Sequence, residues 1–320
     1  MKAVQIHQYG GPEVMVCEEV PMPVPGASQV LVKIEVAGIV HTDTLIRTGA
    51  LPRPLPLILG LEAAGTIEAL GSDVTGLQVG DRVACVVPNT YAQYVAAPIT
   101  KVVPIPNEVT MQQAIAAMVH GLTAHMLTHS VYPIQPGNRI LIHAAAGGVG
   151  LFAVQMAKQR GAEVFGVVST EEKATIVRDA GADHVIISSQ ADFEVEIKRL
   201  TDGQGVHAVY DSVGRTTFAK GIKSLHRRGY MVLFGMSSGP IQPFSPAMLH
   251  DGSLYLTFTG LSDYIDDPDE FQQRANDVLN GIASGKLTVR IAQAFPLTEA
   301  PEAHRQLGSR ATSGKLVLIP

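Results

Sequence analysis

Two stretches of the chain set chemically active residue types close together. AGIVHTDTLIRTG, Ala37 to Gly49, holds His41, Thr42 and Asp43 in a row. A ring nitrogen, a hydroxyl and a carboxylate side by side suit a metal site or a proton relay. Val40, immediately before them, has no lone pair to offer. The second stretch, HAAAGGVG, runs from His143 to Gly150. It meets the G-x-G-x-x-G spacing as Ala145, Gly147 and Gly150, with alanine in the first place. Gly147 lets a backbone approach a pyrophosphate, and Gly150 lets a helix pack close to a strand. A helix opening at Gly148 and Val149 would add amide donors and a partial positive charge. A tight turn without a ligand is the plain alternative; the setting, between the first strand and first helix of a long alternation, favours a dinucleotide.

The next turn selects the dinucleotide. An NAD site places Asp or Glu at the end of the second strand, against the ribose hydroxyls. EVFGVVSTEEK has Ser169 and Thr170 there, with Lys173 one turn into the following helix. A carboxylate at this point would repel a 2′-phosphate, whereas a hydroxyl can donate to it and Lys173 can neutralise it. NADPH is therefore the expected cofactor. Glu171 and Glu172 are expected on the helix rather than at the strand end, and Lys173 alone would also suit a solvated helix face.

The elements that must hold these residues follow from periodicity. The chain has 320 residues, more than one core usually spans, so two domains are expected. Residues 1–124 read as short strands and turns, among them QVLVKIEVAGI, LEAAGTIEALG and GDRVACVV. Many short strands with little helix suggest a partly open barrel. Over residues 125–262 six strands, RILIHA, EVFGVV, HVII, HAVYD, GYMVLFG and SLYLTF, alternate with helices. The helices are VGLFAVQMAKQRG, EEKATIVRDAG, FEVEIKRLT and TFAKGIKSLHRRG, and the first, second and fourth end at a glycine. This alternation implies right-handed crossovers and a doubly wound parallel sheet. Residues 263–320, with the amphipathic DEFQQRANDVLNGIASGK and a final strand GKLVLIP, are too few to fold alone and are expected to rejoin the first domain. The expected fold class is α/β: a doubly wound, Rossmann-type parallel sheet inserted in a β-rich, partly open barrel.

Composition excludes several classes. A net charge of −5 gives no reason to expect nucleic acid or an anionic membrane as partner. The longest uncharged run of interest, 140–157, contains His143, Gln155 and a glycine cluster, which does not suit a membrane span. The opening MKAVQIHQYGG alternates like a strand and lacks a signal-peptide core. Two distant cysteines, Cys17 and Cys85, provide neither a disulfide framework nor a zinc module. A reducing cytoplasm is the simplest expectation.

Taken together, YGGPEV, the AGI…D…IR.G segment, GLEAAG, GLTA, HAAAGGVGL, VYDSVG, RRGYMVLFGMSSG and SRATSGKLVLIP resemble the medium-chain dehydrogenase/reductase superfamily. Within it they resemble the zinc-free quinone oxidoreductases, over essentially the whole chain. The resemblance implies that the partly open barrel is GroES-like. The resemblance matches the catalytic zinc ligands of the superfamily's alcohol dehydrogenases to Val40, Leu61 and Val119. All three are aliphatic, and zinc requires N, S or O donors. His41, Glu62 and His120 flank these positions as the wrong neighbours along the backbone. The resemblance implies a metal-free site in which His41 reaches toward the cofactor pyrophosphate and Thr42 faces the reacting oxygen. Asp43 and Arg47, four apart on a probable helix, are read as an ion pair. Better-known quinone oxidoreductases carry Asn and Tyr where this chain has Val40 and Leu45, so a more apolar pocket is expected, walled by Ile39, Val40, Leu45 and Leu61. The resemblance also assigns Thr123 to the nicotinamide carboxamide and Ser212, Val213 and Gly214 to the adenine or ribose. It assigns Phe234, Gly235 and Ser237 to the nicotinamide side, and Arg310 to the pyrophosphate, paired with Glu62.

The activity implied is hydride transfer from NADPH to a quinone in an apolar cleft between the domains. An electron-poor quinone needs no Lewis acid, whereas a simple ketone would. An NADPH-dependent enone or enoyl double-bond reductase is the nearest alternative, and a cofactor-binding protein without turnover a more distant one. The family commonly pairs subunits through the last nucleotide-domain strand, near Ser253 to Phe258, so a homodimer is implied.

Overall fold

The computed structural model describes Met1–Ser309 and Ala311–Pro320. The chain divides into two compact units: Met1–Leu122 with Ile265–Pro320, and Thr123–Tyr264.

The first unit opens with β1 (Lys2–Ile6), β2 (Val16–Glu19), β3 (Gln29–Ile39), α1 (His41–Thr48), β4 (Leu57–Ile58) and β5 (Ala63–Leu70). It continues through β6 (Arg82–Cys85), β7 (Tyr94–Pro98), β8 (Val102–Pro104) and α2 (Met111–Ala116). The helical run that leads into the second unit begins at Met111, earlier than the change of texture expected at residue 124. A π-helical segment, Ala117–Gly121, follows, and then α3 (Leu122–Met126), which straddles the boundary between the units.

The second unit contains β9 (Arg139–His143), α4 (Gly148–Gln159), β10 (Glu163–Val168), α5 (Glu171–Asp179), β11 (His184–Ile187) and α6 (Phe193–Leu200). It ends with β12 (Val206–Asp211), α7 (Phe218–Lys223), β13 (Leu225–Leu233) and β14 (Tyr255–Phe258). The strand order is β11-β10-β9-β12-β13-β14, with every neighbouring pair parallel. This is the doubly wound order expected, and it reverses between β9 and β12. Ile140, Leu141 and Ile142 are fully buried in succession, as a strand covered on both faces requires. Each such side chain contributes about 1.5–3 kcal/mol by burial.

One helix differs from expectation. α7 ends at Lys223, and Leu225–Arg228 belong to β13 instead of a helical tail. Leu225 pairs with Val206 of β12, and pairing to the sheet ends the helix. The left-handed residue is Arg228, at φ 59, and Gly229 lies inside the strand. The glycines after α4 and α5, Gly161 and Gly181, do take left-handed conformations, at φ 77 and 103.

The chain then returns to the first unit as α8 (Pro268–Ala283), β15 (Ile291–Pro296), α9 (Ala300–Ser309) and β16 (Lys315–Ile319). β16 pairs antiparallel with β3, Leu316 opposite Ile39, and completes a seven-stranded sheet with β15, β5, β6, β8 and β7. Its core gathers Val30, Val32 and Ile34 of β3 with Leu316 and Leu318 of β16.

Candidate functional site

The cradle in the second unit forms where β9 gives way to α4. Ala144 takes φ 50 and turns the chain sharply, and Ala145 N donates to Val167 O of β10. Gly147 is the N-cap of α4, with extended backbone at φ −75 and ψ 172. A Cβ on Gly150 would lie 2.5 Å from Ala144 O and 2.7 Å from Ala145 O, so the first turn of α4 packs against the loop as only glycine allows. On Gly147 a Cβ would meet only Ala144 O, at 3.1 Å. Gly148, Val149 and Gly150 thus form the first turn of α4, and amides without helical partners face outward there. A bare glycine cradle at the first helix N-terminus of a doubly wound sheet fits a pyrophosphate.

Two further loops lie at the same, carboxyl, end of the sheet. Ser212, Val213 and Gly214 follow β12; Phe234, Gly235 and Ser237 follow β13. Asp211, fully buried, ties the first loop by accepting from Val213 N at 2.7 Å and Gly214 N at 3.1 Å. Ser237 N donates to Ser212 O at 3.0 Å and Ser238 Oγ to Val213 O at 2.7 Å, which joins the two loops. Asp211 went unremarked in the sequence, although an acid ending an apolar strand one residue before a turn is a signal for such a loop anchor. Thr123 is buried on α3.

After β10, Ser169 is exposed and its carbonyl accepts from Ser189 Oγ at 3.0 Å, linking it to the turn after β11. Thr170 is different. It is the N-cap of α5 and accepts from Lys173 N at 3.4 Å; a hydrogen bond from Glu172's own backbone amide first, and from Thr170 second, lowers the pKa of Glu172. The Thr170 hydroxyl serves the helix end, and Ser169 beside it is also exposed. Glu171 and Glu172 lie on α5 as expected, and Glu171 pairs with Arg178 at 2.6 Å. Lys173, half-buried, has its pKa pushed down by desolvation.

In the first unit, α1 begins at His41, which is exposed, followed by half-buried Thr42 and fully buried Asp43. The expected Asp43–Arg47 ion pair is not formed. Asp43 Oδ2 accepts instead from Val40 N at 2.9 Å and from Tyr91 Oη at 2.8 Å, and Arg47 Nε and Nη1 have no partner among the described residues. Val40 cannot cap the helix with its own side chain, so Asp43 reaches back to do so. Leu45 is exposed one turn beyond His41, and Leu61 is half-buried. Ile39 and Val40, by contrast, are buried at 1% and 3% exposure, so neither is an accessible wall.

Val40, Leu61 and Val119 supply no donor atom to a metal. Among the described residues no group of three His, Cys, Asp or Glu side chains stands close enough to hold one. Glu62 is occupied otherwise. It is fully buried and ion-paired with Lys315, itself at 1% exposure, and Lys315 Nζ also donates to Ile39 O at 3.1 Å. Its other oxygen accepts from Val119 N at 2.6 Å, where the π-helical segment kinks at Met118, ψ −110. A Cβ on Gly38 would overlap Glu62, so that glycine makes room for the pair. The expected Glu62 partner, Arg310, lies outside the described residues; among those described, Lys315 is the cation paired with Glu62. Beside them, burial first and Lys315 second push the His120 pKa well down, leaving a neutral imidazole.

Comparison with known proteins adds the following. Residues 26–107 match the family described as alcohol dehydrogenase GroES-like domain, and residues 148–280 the family described as zinc-binding dehydrogenase. A quinone oxidoreductase of Pseudomonas aeruginosa is 40% identical, covering 100% of this chain and 99% of its own. A 2-haloacrylate reductase of a Burkholderia species is 37% identical, covering 99% and 98%. The crystal structure of an Escherichia coli quinone oxidoreductase complexed with NADPH is 39% identical and superposes with a TM-score of 0.97 over 100% of both chains.

Proposed function

The chain belongs to the quinone oxidoreductases of the medium-chain dehydrogenase/reductase superfamily, and from that premise we propose that it is an NADPH-dependent quinone reductase. The observation that carries this reading is the glycine cradle at Gly147–Gly150 joined to a second-strand turn that ends in Ser169 and not in an acid. NADPH, when bound, supplies the hydride. The turn of α4 binds its pyrophosphate through backbone amides, and Ser169 with Lys173 receives the 2′-phosphate. The loops at Ser212–Gly214 and Phe234–Ser237 flank the remainder. Thr42, at the N-terminus of α1, offers its hydroxyl to the reacting oxygen, where the helix dipole favours a developing negative charge. No Lewis acid is required, because a hydroquinone anion spreads its charge over the ring.

A second reading is favoured by the resemblance to the haloacrylate reductase: reduction of an activated carbon–carbon double bond, with the same cofactor. The deciding experiment is turnover of 1,4-benzoquinone, 9,10-phenanthrenequinone and an α,β-unsaturated ketone with NADPH and NADH, each with and without EDTA. Quinone reduction with NADPH, untouched by EDTA, is expected. Preference for the enone would replace the first reading by the second.

For cofactor choice, Ser169→Asp is expected to weaken NADPH at least tenfold and NADH far less, because the new charge faces the 2′-phosphate at an effective dielectric below that of water. Equal losses in a fluorescence titration would remove Ser169 from that pocket.

A homodimer and a cytoplasmic location also belong to the proposal. β14 is an edge strand of the six-stranded sheet, with Tyr255 and Phe258 exposed at 50% and 59%. An apolar edge of this kind invites pairing with a second copy. Sedimentation velocity should give twice the 34.0 kDa chain mass, and Phe258→Asp should shift it to the monomer. A monomeric unsubstituted protein would discard the dimer. The two free thiols, Cys17 and Cys85, accord with a reducing compartment.

A further inference from the structure

Four polar side chains are enclosed in the first unit away from any surface: Asp43 and Tyr91 at 0% exposure, His304 at 2% and Arg47 at 5%. They come from α1, from the segment between β6 and β7, and from α9. Tyr91 Oη lies 2.8 Å from Asp43 Oδ2 and 3.1 Å from His304 Nε2. Tyrosine has one proton to give. Given to Asp43, it leaves the oxygen to accept from His304 Nε2–H, which fixes the neutral tautomer of that ring. Burial, and Arg47 after it, push His304 down to about 3, so it stays neutral. The donors thus run in one direction, from His304 to Tyr91 to Asp43, and Asp43 also receives Val40 N. The site is tight: a Cβ on Gly60 would lie 2.4 Å from Thr90 Oγ1 and 2.4 Å from Tyr91 Cδ1.

Asp43 Oδ1, Arg47 Nε and Nη1, and His304 Nδ1 have no hydrogen-bond partner among the described residues. Unpaired buried polar atoms lower stability, and chains tolerate them chiefly where function requires the group. Here the group includes Asp43, whose carboxylate caps the N-terminus of a helix whose first two residues are His41 and Thr42.

We propose that Asp43, Tyr91 and His304 form a buried hydrogen-bonded relay that holds the N-terminal turn of α1, making Tyr91 and His304 positioning residues for Thr42; the link to turnover rests on the reductase reading above. An ionised Asp43 holds its two donors more strongly than a protonated one. Burial, opposed by the Val40 amide, the Tyr91 hydroxyl and Lys315 and assisted last by Glu62, brings its pKa up to about 7. Arg47, on the same helix, and His304, from α9, complete the groups around it. The turn is therefore held best above neutrality and loosens as pH falls through that range.

The test uses the full chain. In Tyr91→Phe, loss of the donor should lower kcat about tenfold and move the acid limb of its pH profile upward by about one unit. His304→Gln, which keeps an N–H donor, should retain most of kcat, whereas His304→Leu should behave like Tyr91→Phe. Urea midpoints establish that each variant is folded. Independently of substrate, the Val40 amide resonance should titrate with Asp43, with its midpoint raised in Tyr91→Phe and no titration in Asp43→Asn. A folded Tyr91→Phe with normal kcat and an unmoved acid limb would overturn the relay. So would His304→Gln and His304→Leu behaving alike, or a Val40 amide that does not titrate. A protein that reduces no quinone but shows the Val40 titration would sink the reductase reading and leave the relay standing.

Discussion

Lys315→Met is expected to lose about 3–5 kcal/mol of folding stability, because it strands the Glu62 carboxylate without a counter-charge in a fully buried place. Glu62 would keep its bond from Val119 N, which does not neutralise it. The loss should appear as a lower urea midpoint with an unchanged slope. Adding Glu62→Gln to the same chain should restore most of the stability, since the buried charge is then gone while an oxygen remains to accept from Val119 N. A single variant that loses less than about 1 kcal/mol would mean that the pair is screened by solvent and is not the buried bridge described. Lys315 also anchors β16 to Ile39 O, beside the first turn of α1. Quinone turnover should therefore fall in Lys315→Met by more than the change in folded fraction accounts for.

Gly150→Ala is the second large effect expected. Its methyl group would meet two backbone carbonyls, at 2.5 and 2.7 Å, and neither can swing away as a side chain can. The start of α4 must move outward, at a cost of about 1–3 kcal/mol. The amides proposed to bind the pyrophosphate would move with it, so NADPH affinity should fall at least tenfold. Gly147→Ala makes the contrast. Its backbone conformation suits any residue, and its methyl meets one carbonyl at 3.1 Å. The fold should tolerate it nearly unchanged, and NADPH binding should still weaken where the backbone approaches the phosphates. Thermal unfolding together with a fluorescence titration separates the two. Equal stability in both variants would show that α4 does not pack on the Ala144–Ala145 turn as described.

Much of the nucleotide unit was legible from short windows of residues. Six apolar runs with helical patterns between them required a doubly wound sheet, because each strand must be buried on both faces. The spacing Ala145, Gly147, Gly150 identified the cradle, and Ser169 in place of an acid pointed to NADPH, because both signals are local backbone and charge requirements. Local reading failed where pairing to a distant strand overrode it. TFAKGIKSLHRRG has helical texture to its end, but Leu225 pairs with Val206 and the helix stops. Thr170, read with Ser169 as a hydroxyl at the strand end, is also the N-cap of α5, which the short window did not reveal.

The amino-acid sequence by itself determined the class of the fold and the glycine turn at Ala145, Gly147 and Gly150, since both follow from residue type and near-neighbour spacing; the match of Val40, Leu61 and Val119 to metal-ligand positions came from the family resemblance alone. Only the tertiary structure decided which buried polar groups meet. Glu62 finds Lys315 across 253 residues, and Tyr91 finds His304 across 213. Asp43 bonds Tyr91 and not Arg47, its neighbour on the helix. The physical reason is that a side chain's partner inside a core is set by strand register and helix placement, here the pairing of β16 with β3 and the packing of α9 near α1. No periodicity along the chain encodes a meeting between groups hundreds of residues apart.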